Sequence, residues 1–161
     1  MENFIFKESQ KFRQKWIWVL MTLLTLVTIY LILTTGSSIS ADNFGKVFSM
    51  LLLGLMWWLL LAINMEVYMD QNELKYRYPP FINRWRRFPF DQIDQLEIIE
   101  YNSFWEFGGW GIRYNLNYWL YNTGGKYGIK VKSGKKNFIL GTFKPDEARI
   151  VIDHFNQQKS F

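Results

Sequence analysis

The chain has no cysteine, and its single histidine is His154. The first absence excludes disulfides, thiol chemistry and thiolate metal sites. The second leaves any nucleophile without its commonest activating base. No acidic or histidine cluster has metal-ligand spacing. Glu97 and Glu100 come nearest to a carboxylate pair, yet Glu97-Ile98-Ile99-Glu100 reads as a solvated strand. Phosphate loops are missing as well. Gly108-Gly109-Trp110-Gly111 lacks the G-x-G-x-x-G spacing, and Gly134-Lys135 is followed by Lys136 rather than by Ser or Thr. Neither an enzyme nor a cofactor nor a bound metal is expected.

Charge is missing from two long stretches. None occurs between Lys15 and Asp42. Residues 16–35, WIWVLMTLLTLVTIYLILTT, number twenty. That crosses a hydrocarbon core of about 30 Å at about 1.5 Å per residue. Trp16, Trp18 and Tyr30 sit toward its ends, as interface anchors do. A signal peptide fits poorly, because the run is too long and no A-x-A pattern closes it. Residues 47–65, VFSMLLLGLMWWLLLAINM, form a second run, polar only near its ends at Ser49 and Asn64. Two such runs in tandem predict a transmembrane helical hairpin over 16–65, linked by the short polar segment 36–46. Thr22, Thr25 and Thr28 recur at three-residue spacing. They either favour helix–helix packing in lipid or bond to their own backbone.

The basic residues flank this hairpin unevenly. Lys7, Lys11, Arg13 and Lys15 precede it, and Lys75, Arg77, Arg84, Arg86 and Arg87 follow it. The link has Lys46 alone. The positive-inside bias places both termini in the cytoplasm. The expectation is a multi-pass protein of the inner (cytoplasmic) membrane, with residues 1–15 as a cytoplasmic N-terminal segment.

What the chain has in plenty is aromatic residues, 19% of 161, with eight tryptophans. Its net charge of +5 permits contact with anionic partners without demanding it. Residues 66–161 read as a separate water-facing domain of net charge +3, too modest to point to nucleic acid. Short runs broken by turn residues predict about six or seven antiparallel strands. Tyr127, Ile129 and Val131 alternate with polar or small residues, Ser133-Gly134 turns the chain, and Phe138 and Leu140 return on the apolar side. After Pro145, Ala148, Val151, Ile152 and Phe155 fall on one helical face.

The stretch FWEFGGWGIRYNL, residues 104–116, combines glycines with large rings. Glycine permits positive φ, so Gly108, Gly109 and Gly111 predict a sharp bend, with Trp105 and Trp110 packed under or over it. This stretch resembles the bacterial PH-like domain family. So do Phe88-Pro89-Phe90 with Ile93, the Tyr/Trp segment 118–121, Gly128-Ile129-Lys130-Val131, Gly134-Lys135, Gly141-Thr142 and Pro145. The likeness covers roughly residues 66–157, and members often have two membrane helices just before the domain. It implies an α+β, mainly antiparallel fold: a bent β-sandwich closed by a C-terminal helix. It implies little about function. The family's phosphoinositide pattern carries over badly, since Lys75-Tyr76-Arg77 faces an acidic first strand with Glu66 and Asp70.

Two readings remain. In one, the domain is a membrane-anchored binding or scaffold module that contacts anionic lipid or a protein partner. In the other, the chain is an accessory subunit of a larger transport, secretion or defence complex, or a homo-oligomer, docking through its helices and sheet. The candidate contact residues are Arg84, Trp85, Arg86 and Arg87, together with Trp105, Trp110 and Arg113 of the glycine-rich stretch. Arg113 either stacks on a ring such as Trp110 or Trp119 or pairs with an acidic partner.

Overall fold

The computed structural model describes residues 6–12, 14–34 and 41–159. The chain divides into two compact units, residues 13–62 and residues 1–12 with 63–161.

The first unit holds two helices, α1 (Lys15–Thr34) and α2 (Ala41–Ala62). Both are long and apolar enough to cross a membrane, and at most 6% of either apolar span is buried within the chain. That exposure is opposite to a soluble core helix, whose apolar side chains are covered. Each threonine of the stripe bonds backward: the hydroxyls of Thr22, Thr25 and Thr28 donate to the carbonyls of Trp18, Met21 and Leu24 at 2.7–2.8 Å. Thr25 also does the other job. Its Oγ1 accepts a bond from Trp57 Nε1 at 3.0 Å, beside a Trp18–Trp57 ring contact of 5.8 Å. The second helix is displaced from its expected 47–65. It starts six residues earlier and stops at Ala62, because Asn64 and Met65 belong to a strand and Met65 is fully buried in a sheet core. Residues 35–40 of the expected link lie outside the described residues.

The second unit is built from two sheets and two helices. The strands are β1 (Phe6–Lys11), β2 (Asn64–Met69), β3 (Glu73–Tyr78), β4 (Ile82–Pro89), β5 (Gln95–Glu100), β6 (Gly111–Tyr114), β7 (Trp119–Asn122), β8 (Tyr127–Ser133) and β9 (Lys136–Thr142). The helices are α3 (Ser103–Phe107) and α4 (Pro145–Lys159). One sheet has the order β1-β2-β3-β4 and the other β5-β8-β9-β7-β6. Every pair is antiparallel except β7–β9, which is parallel. Antiparallel-rich sheets with a C-terminal helix match the expected class. The strand count is higher than expected, because 64–142 holds eight strands and the N-terminal segment supplies a ninth.

That ninth strand departs most from the sequence reading, which left residues 1–15 as a segment apart. β1 pairs with β2 from Phe6↔Met69 to Lys11↔Asn64. Its inward face carries Phe6, Glu8 and Gln10, all nearly fully buried. Buried polar groups need partners, and both find them at the end of β9. The Glu8 carboxylate accepts bonds from Thr142 Oγ1 (2.6 Å) and Phe143 N (2.8 Å). Gln10 Nε2 donates to Gly141 O (2.6 Å), and Thr123 Oγ1 donates to Gln10 Oε1 (3.2 Å). The N-terminal strand is thereby pinned to residues more than a hundred positions away.

Strand alternation fills the core between the sheets. Met65, Val67, Met69, Leu74, Tyr76 and Tyr78 point inward from β2 and β3. Ile129, Val131, Phe138 and Leu140 oppose them as expected. α4 buries Ala148, Val151, Ile152 and Phe155, with Phe155 against Phe90 at 4.9 Å.

Candidate functional site

The glycine-rich stretch resolves into a short helix and a bend. Asn102 caps α3: its Oδ1 accepts bonds from Phe104 N (3.0 Å) and Trp105 N (3.2 Å), and Glu106 Oε1 accepts one from Asn102 N (2.7 Å). These are the orphan donors a helix start leaves open. Gly108 ends the helix in the left-handed region at φ 71°, a common C-terminal signature. Gly109 and Gly111 follow at φ 128° and 101°. The expected bend is there, but residues 103–107 are helical rather than strand. Gly111 N donates to Asn122 Oδ1 (2.9 Å), while Asn122 Nδ2 donates to Tyr101 Oη and Ser103 Oγ (both 3.0 Å). Tyr78 Oη donates to the Asn122 carbonyl at 2.9 Å. Asn122 is fully buried. It ties the helix, the bend and both sheets into one scaffold, and burial raises the Tyr101 phenol above its ordinary value.

The three candidates in this stretch are placed differently. Trp105 does not sit under the bend: it is 90% exposed on α3. Trp110 is half-buried and meets Phe104 edge-on at 4.6 Å. Arg113 is exposed on β6, and its Nε donates to the Trp110 backbone carbonyl at 3.1 Å rather than to a ring. Burial lifts the Tyr78 phenol, and the Arg113 charge acts against that lift.

The basic-aromatic run lies on β4, the edge strand of its sheet. Residues 83–87 are all exposed, an unbroken row that no core-facing strand shows. Alternation divides them. Arg87 stands opposite Lys75 on the outer face, where Arg77 lies 4.8 Å from the Trp85 ring and Lys75 lies 4.3 Å from the Tyr68 ring. Arg77 is held by Glu66 through two bonds of 2.9 Å. The acidic strand therefore neutralises the cation that a phosphoinositide pattern would use. Arg86 stands opposite Tyr76 on the other face, with Phe88. There burial raises the Tyr76 phenol, Tyr121 reinforces the effect and Arg86 opposes it.

Beside Arg86 the two sheets gape. A cleft of about 660 Å³ runs between β4 and the β6–β7 hairpin, reaching the β8–β9 turn. Its floor is Tyr76, Phe88, Tyr121 and Phe138, all buried. Its exposed rim carries Arg86, Lys135 and Lys136 with Phe81, Leu116 and Trp119.

The chain matches no protein-family model, no curated protein and no solved structure.

Sequence reasoning missed Asn122, Tyr101 and the cleft. Lys135 and Lys136 were legible as a basic turn, and the period of NRWRRF assigns Arg86 and Arg87 to opposite faces. Nothing local marks Asn122, whose partners come from three other segments. Among the described residues, no group of three His, Cys, Asp or Glu side chains is placed to hold a metal ion.

Proposed function

We propose that the chain is a membrane-anchored, non-enzymatic binding module with a PH-like domain, whose sheet unit contacts anionic lipid on the cytoplasmic side of the membrane. The observation that carries this is the exposed row Asn83-Arg84-Trp85-Arg86-Arg87 on an edge strand. An edge strand offers side chains of both faces to whatever lies alongside it, so the alternation that divides Arg86 from Arg87 does not prevent both from reaching one surface. Each Lys or Arg near an anionic leaflet contributes about 1 kcal/mol, or roughly 3 kcal/mol for three arginines. Trp85 adds an amphipathic ring suited to the interface.

The position of β1 supports a common side for both ends of the chain. Lys11 and Asn64 are cross-strand partners, so the chain leaves the sheet unit and returns to it at one place. Two consecutive spanning helices satisfy that geometry, and the Lys/Arg bias supports the cytoplasmic side.

The test uses the full chain in lipid nanodiscs, either zwitterionic or containing phosphatidylglycerol, with amide hydrogen exchange read over residues 82–89. Slower exchange is expected in the anionic discs, with the protection lost in high salt and in the Arg84→Gln/Arg86→Gln/Arg87→Gln variant. Equal exchange in both discs at low salt would refute lipid contact by β4. Trp105 favours the second reading, an accessory subunit of a membrane complex, because a tryptophan left 90% exposed contributes little to its own fold.

A further inference from the structure

The cleft between β4 and the β6–β7 hairpin combines features that the fold itself does not require. Its floor is aromatic and already buried, which supplies a largely apolar surface whose polar atoms are the phenol hydroxyls of Tyr76 and Tyr121. Its rim holds three exposed cations, Arg86, Lys135 and Lys136, and no carboxylate lines it. None of the three forms an ion pair among the described residues. Lys136 lies 5.4 Å from the Phe88 ring, so one cation sits directly over the floor. The volume falls within the about 300–1,000 Å³ typical of small-molecule sites.

The hairpin tip adds a second observation. Leu116 is the one described non-glycine residue at positive φ, 66°, and it is 85% exposed. A bulky apolar residue in that backbone region is strained. Strain of this kind is retained where it positions a group for use. Here it sits at a leucine that lines the cleft together with Phe81, and both expose apolar surface to water.

We propose that this cleft binds one anionic amphiphile: a single-chain lipid whose phosphate meets Arg86, Lys135 and Lys136 and whose acyl chain lies on the aromatic floor under Leu116. Charge complementarity selects the headgroup, since three cations that form no ion pair among the described residues, and no anion, line the mouth. The apolar floor and rim select a chain rather than a free phosphate. The inference rests on the reading of the chain as a lipid-contacting membrane module, and it names a discrete cleft site that shares Arg86 with the flat contact of β4 with a leaflet.

The test uses the full chain in zwitterionic nanodiscs and a lysophosphatidylglycerol bearing a photoreactive diazirine in its acyl chain. Cross-links are mapped by peptide mass spectrometry. Labelling is expected on the segments 81–88 and 112–121, beyond the background on the two helices. The phosphocholine analogue should label these segments far less. Lys135→Gln/Lys136→Gln should raise the probe concentration for half-labelling by roughly thirtyfold, as the loss of two lysines near a phosphate implies. Leu116→Gly should also weaken labelling while preserving the fold, because glycine accepts the positive φ that strains leucine. Both changes are on the surface, so a folded protein remains for the measurement. Labelling confined to the helices, equal labelling by the phosphocholine analogue, or labelling indifferent to both variants would overturn the proposal. So would full displacement by glycerol phosphate, which has no chain and would mark a simple phosphate site. Failure here leaves the anionic-disc protection of β4 intact, whereas failure of the broader reading removes that protection.

Discussion

Replacing Asn122 with alanine removes the one side chain that joins α3, the glycine bend and the end of β7. The cost can be worked from its partners. Asn122 Nδ2 serves two hydroxyls, Tyr101 Oη and Ser103 Oγ, and these can turn toward each other once the amide is gone. Gly111 N has no such alternative within the protein, and it loses its 2.9 Å acceptor. Gly111 is half-buried, so stranding its N–H costs toward the lower end of the about 1–3 kcal/mol of a fully buried donor, and each lost bond costs about 0.5–1.5 kcal/mol net. Allowing for the hydroxyls' rearrangement, the sum is about 2–4 kcal/mol. For a unit of this size each kcal/mol lowers the midpoint by about 4–8 °C, so a fall of roughly 10–25 °C is expected. The bond from the Tyr78 hydroxyl to the Asn122 backbone carbonyl is unaffected, so the loss reports on the Asn122 side chain alone. The assay is thermal unfolding of the full chain in nanodiscs, followed by near-ultraviolet circular dichroism of the sheet unit's rings. Asn117→Ala, an exposed asparagine on the next turn, should stay within about 0.5 kcal/mol of the parent. If Asn122→Ala melts with the parent and Asn117→Ala, the scaffold role of this network is refuted.

Gly141→Ala should destabilise the same unit by about 1–3 kcal/mol, because a Cβ there would lie 2.7 Å from Asn122 Cβ and 3.0 Å from Tyr101 Oη; unchanged denaturant midpoints would contradict it. Glu97 is held below its ordinary carboxyl value, chiefly by the hydrogen bond from Lys130 at 2.6 Å. Its contribution is therefore complete above about pH 4.5 and fades as pH falls through the depressed value. Lys130→Met should return the Glu97 titration, read by carboxyl 13C chemical shift, toward its ordinary value, with a stability loss under about 1 kcal/mol because the pair is partly solvated. Trp105→Ala should leave the melting midpoint within about 0.5 kcal/mol of the parent, and a large loss of stability would show that the ring serves the fold.

Local periodicity made some elements legible. The face Ala148, Val151, Ile152 and Phe155 and the hairpin through Ile129, Val131, Phe138 and Leu140 were readable because burial follows a fixed repeat in helix and strand. The two apolar helices were readable from length alone, and the glycine bend from the steric rule on positive φ. β1 was not, because its inward face carries Glu8 and Gln10, whose partners at Gly141, Thr142, Phe143 and Thr123 are remote in sequence. The parallel β7–β9 pairing is equally non-local. α3 was hidden by its rings, although Asn102 is of a residue type that caps helix starts. The candidate surface was half legible. The composition of 84–87 marked it, but only the pairing to β3 shows that Arg86 belongs to the cleft and Arg87 to the outer face.

The absence of native cysteine makes single-cysteine accessibility the most direct test of the central claim, that a membrane hairpin holds a sheet unit containing both ends of the chain on the cytoplasmic side. Cysteine is placed singly at Lys7 on β1, at Lys135 in the β8–β9 turn and at Ser38 between the helices, and intact cells are treated with a membrane-impermeant maleimide. Ser38→Cys is predicted to label in intact cells, while Lys7→Cys and Lys135→Cys label together and only after permeabilisation. Labelling of Lys7→Cys and Lys135→Cys from opposite sides, or of both in intact cells with Ser38→Cys protected, would contradict the account.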